Sequence, residues 1–125
     1  MAADLNVVTL TGRLTKDAET RMAGGTPVAV CRFASTARRK NGDQWEDVPN
    51  YFDVIVWGRE GLHQHLVKGK QLAISGELRW REWEKDGTKH QRVEINVNQG
   101  GHIGLLGGGD DKPAQRTSSH DDFDL

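Results

Sequence analysis

The 125-residue chain has little that would make it an enzyme, a secreted protein or a membrane protein. Its one cysteine, Cys31, excludes an internal disulfide framework and fits a reducing compartment, so a cytoplasmic, nucleoid-associated location is expected. No apolar run is long enough to span a bilayer, and the start, MAADLNVVTL, lacks the basic and apolar stretches of a signal peptide. His63 and His65 are two apart on an expected helix, which points them to different faces, unlike the i, i+4 pair that binds zinc. His90, His102 and His120 are scattered. No Walker loop, nucleophile elbow or acidic metal cluster occurs. GGHIGLLGGG is rich in glycine, but no helix follows it to cradle a phosphate. The expectation is a non-catalytic protein with no cofactor, no metal and no membrane contact.

Net charge is small as well, at −1, but it is unevenly spread. From residue 110 onward five aspartates face Lys112 and Arg116, a net of −3, which leaves +2 for residues 1–109. A mildly basic body thus carries an acidic tail. Residues 1–108 read as one folded domain and 109–125 as a short disordered acidic tail.

What is present is a period of two, the signature of strands. Val8, Leu10 and Leu14 alternate with Val7, Thr9, Thr11 and Arg13 in the first strand. Residues 17–26, closing with AGGTP, are turn-rich. A second strand over 28–37 and a third over 51–57 flank RRKNGDQWEDVPN, whose Asn-Gly pair signals a long hairpin. GREGLHQHLVKG reads as the one helix, with Leu62, Leu66 and Val67 on its apolar face and Gly69 as its cap. Strands over 71–84 and 91–98 complete the body, and GGHIGLLGGGDD marks its end. Five strands with a small helix inserted between the third and fourth is the order of an all-β, five-stranded OB-fold, a Greek-key barrel with a long strand 2–3 hairpin.

Strand parity then sorts the side chains. Phe52, Val54 and Val56 face the core from the third strand, and Tyr51, Asp53, Ile55 and Trp57 face out. In the fourth, Leu72, Ile74 and Leu78 face the core with Trp80 in line, packed inward or at the core rim. Glu77, Arg79, Arg81 and Trp83 face out. A surface of Tyr51, Trp57 and Trp83 with Arg79 and Arg81 suits an unpaired nucleic-acid strand. Bases stack on the rings at about 1–3 kcal/mol each, and guanidinium groups pair with the phosphates between. Duplex hides its base faces inside its own stack. Arg38, Arg39, Lys40 and Trp45 form a second cluster on the hairpin, while Arg21, Arg59, Lys68 and Lys70 are further candidate phosphate contacts. The rival use of such a face is a subunit interface or a second small core.

These residues resemble the bacterial single-stranded DNA-binding protein family. The matching stretches are NVVTLTGRLTKDAETR, YFDVIVWG, HLVKGKQLAISGELRWREWEKDG and VEINVNQGGHIGLLGG, in order over nearly all of residues 5–108. The resemblance implies an OB barrel and stacking at Tyr51, Trp57 and Trp83. It also implies a homotetramer and roles in DNA replication, recombination and repair. A fourth stacking aromatic expected of the family falls near Arg39. Asp53 stands where the family tends to carry a base, and there it repels phosphate unless Arg79 or Arg81 pairs with it. The tail is unusually short for the family, yet its end, Asp121, Asp122, Phe123, Asp124 and Leu125, keeps acids and apolar anchors. The resemblance implies that this tip recruits replication and repair proteins, docking into a basic, apolar-floored pocket. The alternative is an OB-fold RNA-binding or protein-interaction module acting as a replication accessory.

Overall fold

A computed structural model describes residues 3–108, and these form seven strands and one short helix. In chain order they are β1 (Val8–Leu14), β2 (Glu19–Ala23), β3 (Thr26–Asn41), β4 (Gln44–Trp57), α1 (Glu60–His63), β5 (Lys70–Lys85), β6 (Thr88–Val97) and β7 (His102–Gly108). Neighbours run β1–β3–β4–β6–β5, and β5 pairs back with β1, which closes five strands into a barrel. The β4–β6 pairing is parallel and the other four are antiparallel. This is the expected OB architecture.

Tight turns set the registers. Asn41 pairs with Gln44 across Gly42 and Asp43, with Gly42 at φ 70°. Lys85 pairs with Thr88 across Asp86 and Gly87, at φ 53° and 78°. Positive φ at the first central residue of one turn, and at both central residues of the other, gives turns whose twist matches the strands they join. The long hairpin expected from the Asn-Gly pair is thus an ordered ribbon, with β3 and β4 paired from Val28–Trp57 out to Asn41–Gln44.

Alternation delivers the core. Ala29, Cys31 and Phe33 of β3 meet Val54 and Val56 of β4, Leu72 and Ile74 of β5, and Ile95 and Val97 of β6. Leu14 and Leu66 complete the cluster, with Val8 and Leu10 packed beside it. Phe33 is fully enclosed, and burying such a ring contributes roughly 1.5–3 kcal/mol. The barrel closes where Gly12 passes β3: a Cβ there would collide with the Ala34 carbonyl and lie 2.7 Å from the Phe33 ring.

Four features differ from expectation. β2 occupies the stretch expected as turn: it pairs only with β3 and exposes four of its five residues, so it carries no apolar alternation to detect. β7 occupies the expected exit from the domain, its weak glycine-rich strand held by antiparallel pairing to β5. The expected twelve-residue helix shrinks to Glu60–His63. Leu66 still reaches the core, but on a loop tied down by Ala18 N–H donating to Leu66 O and Gly69 N–H donating to Leu14 O, both at 2.9 Å.

The fourth difference concerns Trp80 and Leu78, which are 58% and 44% exposed rather than packed inward. Their parity is that of Leu72 and Ile74, as expected. Pairing of β5 with β1 ends at Gly76 and that of β6 with β4 ends at Glu94, so beyond them β5 and β6 continue as a two-stranded ribbon past the barrel. Leu78, opposite the buried Ile95, therefore sits at the rim, and Trp80 has no core beneath it. Trp80 stands opposite Val93, itself 53% exposed.

Candidate nucleic-acid interface

Register brings the outward residues of four strands into one surface. Arg32 of β3, Asp53 of β4, Glu94 of β6 and Arg79 of β5 follow one another across the sheet. Beside this row, Ala34 pairs with Tyr51 and Arg81 with Arg92. Toward the tip of the second ribbon Trp83 pairs with His90. Trp57 stands four residues along β4 from Asp53, opposite Val28.

Rings and guanidinium groups interleave on this surface. The Arg32 guanidinium carbon lies 5.6 Å from the Tyr51 ring centre. Arg81 and Arg92 lie 4.5 and 5.7 Å from the Trp83 ring, which also stacks on His90 at 5.4 Å and 20°. Each cation meets the negative face of a ring. The Trp57 indole N–H donates to Asn96 Oδ1 at 2.7 Å, which fixes its ring plane. Beside it a concavity of about 200 Å³ is floored by Val28, Val30 and Ile55 and edged by Arg21, Arg79 and Arg81. Its open apolar floor next to an indole suits a flat ring, and its basic edge suits an anion.

Two carboxylates at the centre of this surface, Asp53 and Glu94, are neutralised locally. Asp53 Oδ1 accepts from Arg32 at 3.1 Å and Oδ2 from Arg92 at 2.7 Å. Glu94 accepts from Arg81 through Nε at 3.2 Å and Nη2 at 2.9 Å. The expected partners of Asp53, Arg79 and Arg81, are thus replaced by Arg32 and Arg92. The sheet order explains the change, because β3 and β6 flank β4 whereas β5 lies one strand further away.

Of the residues selected from sequence, Tyr51, Trp57, Arg79, Arg81 and Trp83 are brought together. Arg38 and Trp45 extend the surface along the β3–β4 ribbon, with the guanidinium 5.6 Å from the ring and 3.5 Å from Asp47. Arg39 pairs with Glu46 at the opposite parity, so strand alternation places Arg38, not Arg39, on the aromatic side. Arg21 edges the concavity from β2. Arg59 is committed elsewhere: it donates to the carbonyls of Trp57, Asn98 and Gly101 at 3.4, 3.2 and 2.8 Å, pinning the turn after β6. Lys68 is exposed on the loop before β5, and its backbone N–H donates to Asp17. Lys70 is 5% exposed, which removes it from the surface. Asp121, Asp122, Phe123, Asp124 and Leu125 lie outside the described residues. Sequence reasoning missed Arg32, Arg92 and His90. The signal was available in the same alternation, since Arg32 lies between Cys31 and Phe33, and pairing Trp83 across the Asp-Gly turn leads to His90.

Among the described residues no group of three or more His, Cys, Asp or Glu is placed to hold a metal, and no helix is long and apolar enough to cross a membrane. A closed five-stranded barrel with an aromatic and basic outer face defines an OB-fold binding protein. A sequence model described as the single-strand binding protein family matches residues 5–104, and the chain belongs to that family.

Two curated relatives are each named single-stranded DNA-binding protein. The one from Treponema pallidum is 47% identical over 113 residues, covering 86% of this chain and 62% of the relative. The one from Borreliella burgdorferi is 38% identical, covering 76% and 66% respectively. The chain thus spans less than two thirds of the length of each. Among solved structures, a Plasmodium falciparum SSB in complex with ssDNA superposes with a TM-score of 0.76 at 20% identity, over 86% of this chain and 99% of that one. A deletion mutant of the single-stranded DNA-binding protein from Thermus aquaticus gives 0.68 at 30% identity, over 82% and 51%.

Proposed function

We propose that the chain binds single-stranded DNA without regard to sequence, protecting unpaired strands during replication, recombination and repair in the cytoplasm. The observation that carries this is the placement of Tyr51, Trp57 and Trp83 on one face with Arg32, Arg79, Arg81 and Arg92 between them. Rings take the bases and guanidinium groups take the phosphates, with the strand continuing past Arg21 at one end and along Arg38 and Trp45 at the other. Family membership and the names of the relatives point the same way.

Assembly into a homotetramer belongs to the same proposal. Leu78, Trp80 and Val93 form an exposed apolar patch whose parity is opposite to that of Arg79, Arg81 and Trp83. A second copy seated there leaves the aromatic face open. The acidic tip is assigned to recruiting replication and repair proteins.

The deciding experiment is a titration of intrinsic tryptophan fluorescence with oligo(dT) and with duplex of equal length, at low and moderate salt. Strong quenching by oligo(dT) alone is expected, with a salt slope near −0.7 per phosphate neutralised. An equal response to duplex, or none to either, overturns the proposal.

A further inference from the structure

We infer that Asp53 and Glu94 serve as built-in counter-ions that make binding depend on base stacking, and so select unpaired strands against duplex and base-free polyanions. This rests on the single-strand reading above. The two acids are direct neighbours across β4 and β6, with side chains only 13% and 7% exposed. Two carboxylates so placed repel each other and are poorly hydrated, so each needs a guanidinium over it. Arg32 and Arg92 cover Asp53, and Arg81 covers Glu94, with all three arginine side chains between 43% and 49% exposed.

The arginines that face the ligand are therefore already half neutralised from below. Four of them, Arg32, Arg79, Arg81 and Arg92, stand against Asp53 and Glu94, so these six side chains together carry +2 rather than the +4 of the arginines alone. Each guanidinium has five N–H donors, so those not spent on Asp53 or Glu94 remain for a phosphate. The Coulomb gain of that contact is smaller, because the attraction of the cation is opposed by the repulsion of the acid beneath it. Stacking on Tyr51, Trp57 and Trp83 carries no such penalty. A ligand that offers only phosphates or sulfates gains little here, whereas one that also offers base faces gains the stacking in full. The acids also hold the guanidinium groups against the rings, at 5.6 Å from Tyr51 and 4.5 and 5.7 Å from Trp83. The same pairs thus order the platform that bases must find.

The test measures the affinity of the full chain for oligo(dT), for duplex of equal length and for heparin, in the unaltered protein and in Asp53→Asn and Glu94→Gln. Both replacements keep shape and an acceptor oxygen while removing one charge. Duplex and heparin affinity should rise about fivefold, the effect of one unit charge a few Å away in a high dielectric. Oligo(dT) affinity should rise less, so that discrimination between single strand and duplex falls and the salt slope for every ligand steepens. Unchanged or improved discrimination overturns the inference, as does a loss of oligo(dT) binding in a folded variant, which would leave the acids with the positioning role alone and no part in selecting the ligand. Heparin competition on the unaltered protein decides independently of any variant's folding: heparin matched in charge should fail to displace bound oligo(dT), and ready displacement overturns the inference. Failure of the unaltered protein to bind oligo(dT) at all removes the single-strand reading itself, whereas binding with unchanged discrimination in the variants removes only the counter-ion role.

Discussion

Trp57 and Trp83 have the same proposed use but different surroundings, so their replacements should behave differently. Trp57 is half-buried and spends its N–H on Asn96 Oδ1 at 2.7 Å. Trp57→Ala strands that acceptor, leaving an amide whose Nδ2 has no partner either. It should therefore lower both oligo(dT) affinity and the thermal midpoint. Trp83 stands on the projecting ribbon among Arg81, His90 and Arg92. Trp83→Ala should weaken binding by about 1–3 kcal/mol, the worth of one stacked base, and leave the midpoint nearly unchanged. Fluorescence titration and calorimetry on the two variants check both expectations. Cys31 offers a test of the interior. Burial pushes its thiol from 9.0 up to about 12. The folded protein then keeps a proton that the unfolded chain releases, so this group leaves stability flat below 9.0 and lowers it as pH rises toward 12. The urea midpoint of the unaltered protein should fall between about pH 8 and pH 10 by more than that of Cys31→Ala, with a difference of about 1 kcal/mol.

At the scale of elements, the barrel depends on places where two backbones touch. Gly12 lets β1 pass the Phe33 ring and the Ala34 carbonyl, so Gly12→Ala must push β1 away from β3. The expected cost is about 1–3 kcal/mol in urea unfolding, the usual range for overpacking a tight core. Gly61→Ala in α1 is the control: its new Cβ meets nothing within 4 Å, and the change should be neutral or stabilising. The two ribbons follow another rule. Beyond Phe33 in β3 and beyond Leu78 in β5 the strands keep their pairing but lose the core beneath them, so both of their faces become available for binding. On the second ribbon those faces are chemically distinct, with Arg79, Arg81 and Trp83 on one and Leu78, Trp80 and Val93 on the other.

For the whole molecule, the two faces lead to separable expectations. Trp80→Glu places a charge in the apolar patch opposite the aromatic face. Light scattering should then report a smaller assembly than for the unaltered 13.9 kDa chain, with oligo(dT) stacking preserved within each protomer. Deleting residues 121–125 removes three of the five aspartates of the segment after residue 109. DNA affinity should stay equal or rise, since less negative charge competes for the basic face, while capture of replication and repair proteins should be lost. An unchanged capture would leave the tip as a solubilising end.

The sequence by itself determined where the five strands of the barrel lie along the chain and which side chains share a face. Alternation of apolar and polar residues is local, and it survives folding because successive side chains of a strand must point to opposite sides. That is why the sequence alone groups Tyr51, Trp57, Arg79, Arg81 and Trp83. β2 and β7 were not legible, because their residues make strands only when β3 and β5 offer an edge to pair with. The exposure of Trp80 was decided by tertiary structure alone: its parity is inward, but the ribbon that carries it leaves the core behind. Partner choice was likewise a matter of strand order. Asp53 met Arg32 and Arg92 rather than Arg79 or Arg81 because β3 and β6 flank β4, and separation along the chain does not encode which strands become neighbours.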